Sequence, residues 1–179
     1  MKTKIICSIG LAFFVMSYIL FSQISLNTQK PIDFAHWFNL IGAVLLISFN
    51  FVFPKNTLSL IASIITTIGV VAHIGLCVID FILWSFGNNE VKSEELRIQL
   101  SNTPSILYPF VIVGPSLLFV GLSLHATNFI KTEPIKVLMI IIGSIIIGVS
   151  FFAFKNGIFM LFGCLLFALG LTLLINKKN

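Results

Sequence analysis

The chain reads as long apolar runs broken by short polar clusters. Within each run the apolar positions are continuous and do not alternate with polar ones, so helices are expected rather than barrel strands. Six runs are long enough to cross a hydrocarbon core of roughly 30 Å as helices. They cover residues 5–22, 36–53, 58–86, 105–130, 135–154 and 158–176. The breaks carry turn chemistry. QISLNTQKPID follows the first run, and Pro54, Lys55 and Asn56 follow the second, with Thr57 expected to cap the third helix. Lys131, Thr132 and Glu133 precede Pro134, and Lys155, Asn156 and Gly157 separate the last two runs.

The third run is the longest. At about 1.5 Å per residue it exceeds the core thickness, so it must tilt or protrude. Residues 87–104 form the one substantial loop, and its middle, 90–100, can form a surface helix with Val91, Leu96, Ile98 and Leu100 on its apolar side. Pro115 inside the fourth run predicts a kink. Connections this short predict that successive spans pack as antiparallel neighbours. The expected fold class is therefore all-α: a polytopic membrane protein, six transmembrane helices in a compact bundle, with residues 1–179 as one domain.

Composition supports the same reading. Of 179 residues, 58% are hydrophobic and 9% charged, about a third of the usual charged share. Mean hydropathy is +1.08. The net charge of +5 carries no nucleic-acid signal, because the basic residues stand singly or in pairs at segment ends and never as a patch. Cys7, Cys77 and Cys164 all lie inside apolar runs, and an odd number without a CxxC motif reads as packing rather than a disulfide framework. MKTK followed by an apolar run resembles a secretory signal. The run is longer than a signal core and no A-x-A-like site follows, so an uncleaved first span is expected.

Basic residues in short loops set the expected orientation. With the N-terminus in the cytoplasm, the inner side holds Lys2, Lys4, Lys55, Lys131, Lys136, Lys177 and Lys178, and the outer side holds Lys30, Lys92, Arg97 and Lys155. Tyr18, Trp37, Trp84 and Tyr108 all fall on the outer side, where amphipathic rings prefer the interface. A bacterial-type inner membrane with both termini cytoplasmic is expected.

The halves of the chain resemble one another. Pro31-Ile32, Ile41-Gly42, Ser48-Phe49 and Lys55-Asn56 match Pro134-Ile135, Ile142-Gly143, Ser150-Phe151 and Lys155-Asn156. A repeat of three spans is odd, so its second copy would enter the membrane upside down. A 3+3 inverted repeat of this kind is frequent in transporters, with a site near the midplane between the halves.

Chemistry is expected where polar groups interrupt the apolar runs. His73 and Asp80 stand seven residues apart on the third span, close to two helical turns, and so share a face. His36, Asn39 and Asn50 share a face of the second span, and His125 and Asn128 share one on the fourth. Together these seven residues form an expected ladder, with His36, Asn39 and Asp80 toward the outside, His73 in the middle, and Asn50, His125 and Asn128 toward the inside. An ionisable residue within a span is a functional hypothesis in its own right. The competing reading is interhelical glue at about 0.6–2 kcal/mol for each cross-helix bond.

The leading expectation is a protein that binds or transports a small solute or ion through this polar site. The alternative is a non-catalytic accessory, immunity or assembly subunit acting through helix contacts with a membrane partner. A third reading is an embedded metal-dependent hydrolase, for which two histidines and an aspartate on the third and fourth spans suffice on paper. No HExxH, no GxSxG and no phosphate-cradling glycine loop is present. No motif names a cofactor. The expected partners are the bilayer, a solute or membrane protein, and a second copy of the chain. Size and six-span layout resemble, in outline only, the substrate-binding subunits of energy-coupling-factor vitamin transporters. No motif carries that likeness, and the small pair Ser8 and Ala12 is too common a pattern to add to it.

Overall fold

A computed structural model describes residues 2–22 and 32–176. Pro31 of the repeat, Lys30, Lys177 and Lys178 lie outside the described residues. Six helices are long and apolar enough to cross a membrane: α1 (Lys2–Ser22), α2 (Phe34–Phe51), α3 (Thr57–Ser85), α5 (Pro104–Phe129), α6 (Pro134–Phe154) and α7 (Gly157–Ile175). A shorter helix, α4 (Glu90–Ser101), occupies the long loop. Among the described residues there is no strand.

The turn chemistry explains where these helices begin, with one correction. Asn56, not Thr57, caps α3, its side chain accepting from the Ser59 N–H at 2.8 Å. Its counterpart Asn156 caps α7, accepting from the Ile158 and Phe159 N–H groups at 3.0 and 3.2 Å. In both places a short polar side chain satisfies first-turn donors that the helix leaves unpaired. Asp33 does the same for α2, accepting from the His36 N–H at 3.2 Å.

Three antiparallel pairs, α1–α2, α3–α5 and α6–α7, pack most extensively. Each closes on small residues that let backbones approach. A Cβ on Gly42 would stand 2.8 Å from the Phe14 nitrogen, and one on Gly143 would stand 2.6 Å from the Phe167 nitrogen. A Cβ on Gly69 would fall on the backbone of Leu118, and one on Gly121 on the Thr66 hydroxyl. Contacts of α2 with α3 and of α1 with α7 join the pairs. Phe14, Phe49, Leu118, Leu122, Phe167 and Leu171 fill the shared core.

The expectation that all successive spans pack as neighbours is met only loosely at α5 and α6. These two touch sparsely, and a polar link between them runs from Ser123 Oγ to Ser144 Oγ at 2.9 Å. Beyond that link they diverge toward the end of the bundle that carries Asp80. The backbone of α5 is irregular on this stretch. Its turn widens over Leu107–Ile112, where the Val113 N–H reaches back to the Tyr108 carbonyl. Pro109 has no N–H to donate, and the Pro115 ring crowds the carbonyl four residues back, so a normal α-turn cannot be completed here. The kink expected at Pro115 thus takes the form of a widened turn just before it.

A second widened turn, Ser150–Phe154, ends α6 at Lys155, which has φ 47° and ψ 42°. A side chain in this left-handed region is disfavoured by crowding of its Cβ, and glycine is not. Lys155→Gly is therefore expected to stabilise the fold by about 1 kcal/mol. A rise in the thermal unfolding midpoint of the protein in neutral detergent is the check.

Each of the six long helices turns large apolar side chains outward, among them Ile5, Val44, Ile64, Val120, Ile145 and Phe162. The three cysteines are free and buried, and Cys7 Sγ lies 3.0 Å from Ser48 Oγ. No residue of α4 is buried.

Candidate functional site

The seven polar residues singled out in the sequence come together as two separate clusters rather than one ladder. The first lies toward the end of the bundle bearing Asp80. His36, in the first turn of α2, uses both ring nitrogens. Nδ1 meets Asp33 Oδ2 at 2.5 Å, and Nε2 lies 3.4 Å from Asp80 Oδ2 on α3. With both nitrogens protonated, the ring donates to both carboxylates at once. Asp33 and Asp80 are the chain's two aspartates, and one imidazole joins them. The Asp33 side chain is 3% exposed and the Asp80 side chain 30%. Asp33 is thus buried behind His36 while Asp80 still reaches open space.

Two turns deeper, His73 Nε2–H donates to Asn39 Oδ1 at 3.1 Å. That bond places the ring proton on Nε2 and leaves Nδ1 as an acceptor. Nδ1 is buried and has no partner among the described residues. Phe14 packs against the ring, with centroids 5.6 Å apart. The expected face on α2 and the expected face on α3 therefore do meet.

The second cluster lies toward the opposite end and is knit together. His125 Nε2 lies 3.1 Å from Asn50 Oδ1 and 3.3 Å from Ser63 Oγ, and Phe53 stacks on its ring. The Asn50 amide donates to the Ser63 carbonyl and to Thr67 Oγ1, each at 3.3 Å. The Asn128 amide donates to Ser59 Oγ at 3.1 Å and to the His125 carbonyl at 3.0 Å, and its oxygen accepts from Asn56 at 2.7 Å. These bonds tie α2, α3 and α5 to one another and match the glue reading. Thr66, Gly69 and Gly121 sit between the clusters at the tight α3–α5 crossing.

A cleft of ≈1040 Å³ takes in one cluster and leaves the other out. His36, Asn39, His73 and Asp80 line it, and Asn50, His125 and Asn128 do not. Its walls are mostly the apolar faces of α5 and α6 where they diverge. Val120 and Ile145 line it and are 50% and 58% exposed, so the cleft is open sideways between those helices. Ser116, Ser123 and Ser144 add hydroxyls to the walls. At the mouth stand Arg97 from α4 and Lys155 from the end of α6.

Sequence reasoning alone passes over Asp33, Arg97 and Lys155. Asp33 looks like part of a polar linker, although its position three residues before His36 is the spacing of a helix cap that also reaches a side chain. Arg97 is the chain's single arginine, which is a signal in itself. Tyr18, expected at the interface, is 5% exposed and lines the cleft. Trp37 and Tyr108 do face outward.

The zinc reading does not find its ligands. His73 and His125 lie in different clusters, and among the described residues no group of three His, Cys, Asp or Glu side chains is placed to hold a metal ion. Comparison with protein-family models, with curated proteins and with solved structures finds no match.

Proposed function

We propose that this chain is a multi-pass protein of a bacterial-type inner membrane that binds a small solute in the cleft between α5 and α6. His36, Asp80, His73 and Asn39 supply the polar contacts. One observation carries the reading: the large cleft gathers the four residues of the Asp80 cluster and excludes the three of the other. Ligand sites are commonly apolar concavities with a few convergent polar groups, and this cleft has that make-up.

Membrane insertion is supported by the outward-facing apolar side chains, which water would not tolerate over so much surface. We place both termini in the cytoplasm on the loop-charge count. The cleft mouth then faces outward, together with Trp37, Trp84 and Tyr108. We also propose that the halves are an inverted repeat. Asn56 and Asn156 do the same capping work, and α2 and α6 both end in turns that leave α-helical geometry. Movement of a solute to the other side would require parting the crossing at Gly69–Leu118 and Thr66–Gly121, so binding is the part of the activity that the geometry supports.

Native mass spectrometry of protein purified from its own membrane tests the reading. The wild type should retain one small non-protein mass. Asp80→Asn combined with His73→Ala should lower its occupancy about 10–100-fold, the loss of one or two charged or buried hydrogen bonds. Gly148 lines the cleft, and a Cβ there meets nothing within 4 Å. Gly148→Trp should fill the cleft, keep the unfolding midpoint and exclude the mass. A wild type that carries no such mass, or a Gly148→Trp variant that still carries it, overturns the proposal.

A further inference from the structure

The cleft's polar groups do not balance at its mouth. Asp80 shares its charge with His36. Arg97 and Lys155 have no carboxylate within ion-pair distance among the described residues. With its ring protonated, His36 and the two carboxylates it joins carry one net negative charge against the two positive charges of Arg97 and Lys155, so the opening is net positive. Below them the walls are mostly apolar, interrupted by Asn39, His73 and the hydroxyls of Ser116, Ser123 and Ser144. Lys155 and Ser144 are eleven residues apart on α6, roughly 16 Å along the helix. That is close to half of a hydrocarbon core about 30 Å thick. The cleft thus runs about one leaflet deep, from a cationic rim to the level of the Ser123–Ser144 bridge. It is also open sideways along that depth, between Val120 and Ile145, in the direction where acyl chains would lie.

Resting on the binding role proposed above, we propose that the occupant is a membrane lipid with an anionic headgroup. Arg97 and Lys155 hold the headgroup, and an acyl chain lies between α5 and α6. A phosphate oxygen suits both cations, and a guanidinium can present two N–H groups to it. The chain enters from the leaflet without crossing the mouth. The left-handed backbone of Lys155 fits this role, since it places a lysine at the rim where the backbone alone favours glycine.

The test uses the full chain in nanodiscs of equimolar phosphatidylglycerol and phosphatidylcholine, with bound lipid read by native mass spectrometry after release. Wild type should retain one phosphatidylglycerol in at least tenfold preference. Arg97→Glu with Lys155→Glu should bring the two lipids to parity, and Arg97→Lys should keep most of the preference. Lys155→Gly should weaken it several-fold while the protein melts no earlier than wild type, so misfolding cannot account for the loss. Gly148→Trp should abolish retention of either lipid. Equal retention of both lipids by wild type, abolished by Gly148→Trp, would overturn the headgroup assignment and leave the binding role standing. A preference that survives Gly148→Trp would place the lipid on the outer surface and overturn the inference. Retention of a small non-lipid mass instead would also overturn it.

Discussion

Gly69→Leu should destabilise the bundle by about 3 kcal/mol or more, the largest loss expected from a single substitution at the helix crossings. Overpacking a tight contact costs typically 1–3 kcal/mol, and more where backbone must move. At Gly69 the obstacle is backbone. A Cβ would fall on the chain of Leu118, and no rotamer change can remove it. The nearby Gly121 presses on Thr66 in the same way, so the helices cannot slide to make room. The α3–α5 pair separates the two polar clusters and carries His73, Asp80 and His125. Its displacement should therefore lower the unfolding midpoint and loosen both clusters together. Gly148→Leu is the matched control. It adds the same atoms at a position facing open cleft and should leave the midpoint nearly unchanged. Thermal unfolding of both variants in one detergent decides the matter, and equal midpoints would show that the α3–α5 crossing is not the constraint described.

The second large effect is expected at Asp33. This carboxylate is almost fully buried and holds two donors, the His36 backbone N–H and the His36 ring. Losing a helix cap costs about 1 kcal/mol. Losing a hydrogen bond to a charged or ring donor adds about 1.5–3 kcal/mol. Asp33→Ala should thus cost about 2.5–4 kcal/mol. Asp33→Ser keeps a cap and should recover roughly the first part only. A double-mutant cycle with His36→Ala separates the ring contribution, because the two losses overlap once either partner is gone. A cycle with no coupling would show that the imidazole does not depend on Asp33. Release of His36 from Asp33 also frees its hold on Asp80, so the cleft should lose ligand as well as the fold losing stability.

These residues show how far the sequence reaches. Six apolar runs, their ends to within a few residues and the short surface helix are all readable from it. Hydrophobic continuity and turn chemistry are local properties, and each run has to hide its own backbone polar groups. Helical spacing puts Asn39 and His73 on polar faces of their helices but at different depths, so their hydrogen bond is seen only once α2 and α3 are docked. The cap at Asn56 instead of Thr57 is a matter of one residue, within the range over which helix ends compete.

What tertiary structure alone decided was which faces met and where they failed to meet. Spacing on one helix says nothing about how far a neighbour stands. So the seven polar residues read as one ladder, and folding divided them at the Gly69–Leu118 crossing. Asp33 became part of the site because α2 docks beside α3. Arg97 and Lys155 became rim residues because α5 and α6 part above Ser123 and Ser144. A run of apolar letters determines that a helix forms and must be shielded from water. Only the close approach of glycines at three crossings, and its absence at a fourth, determines where a cavity is left.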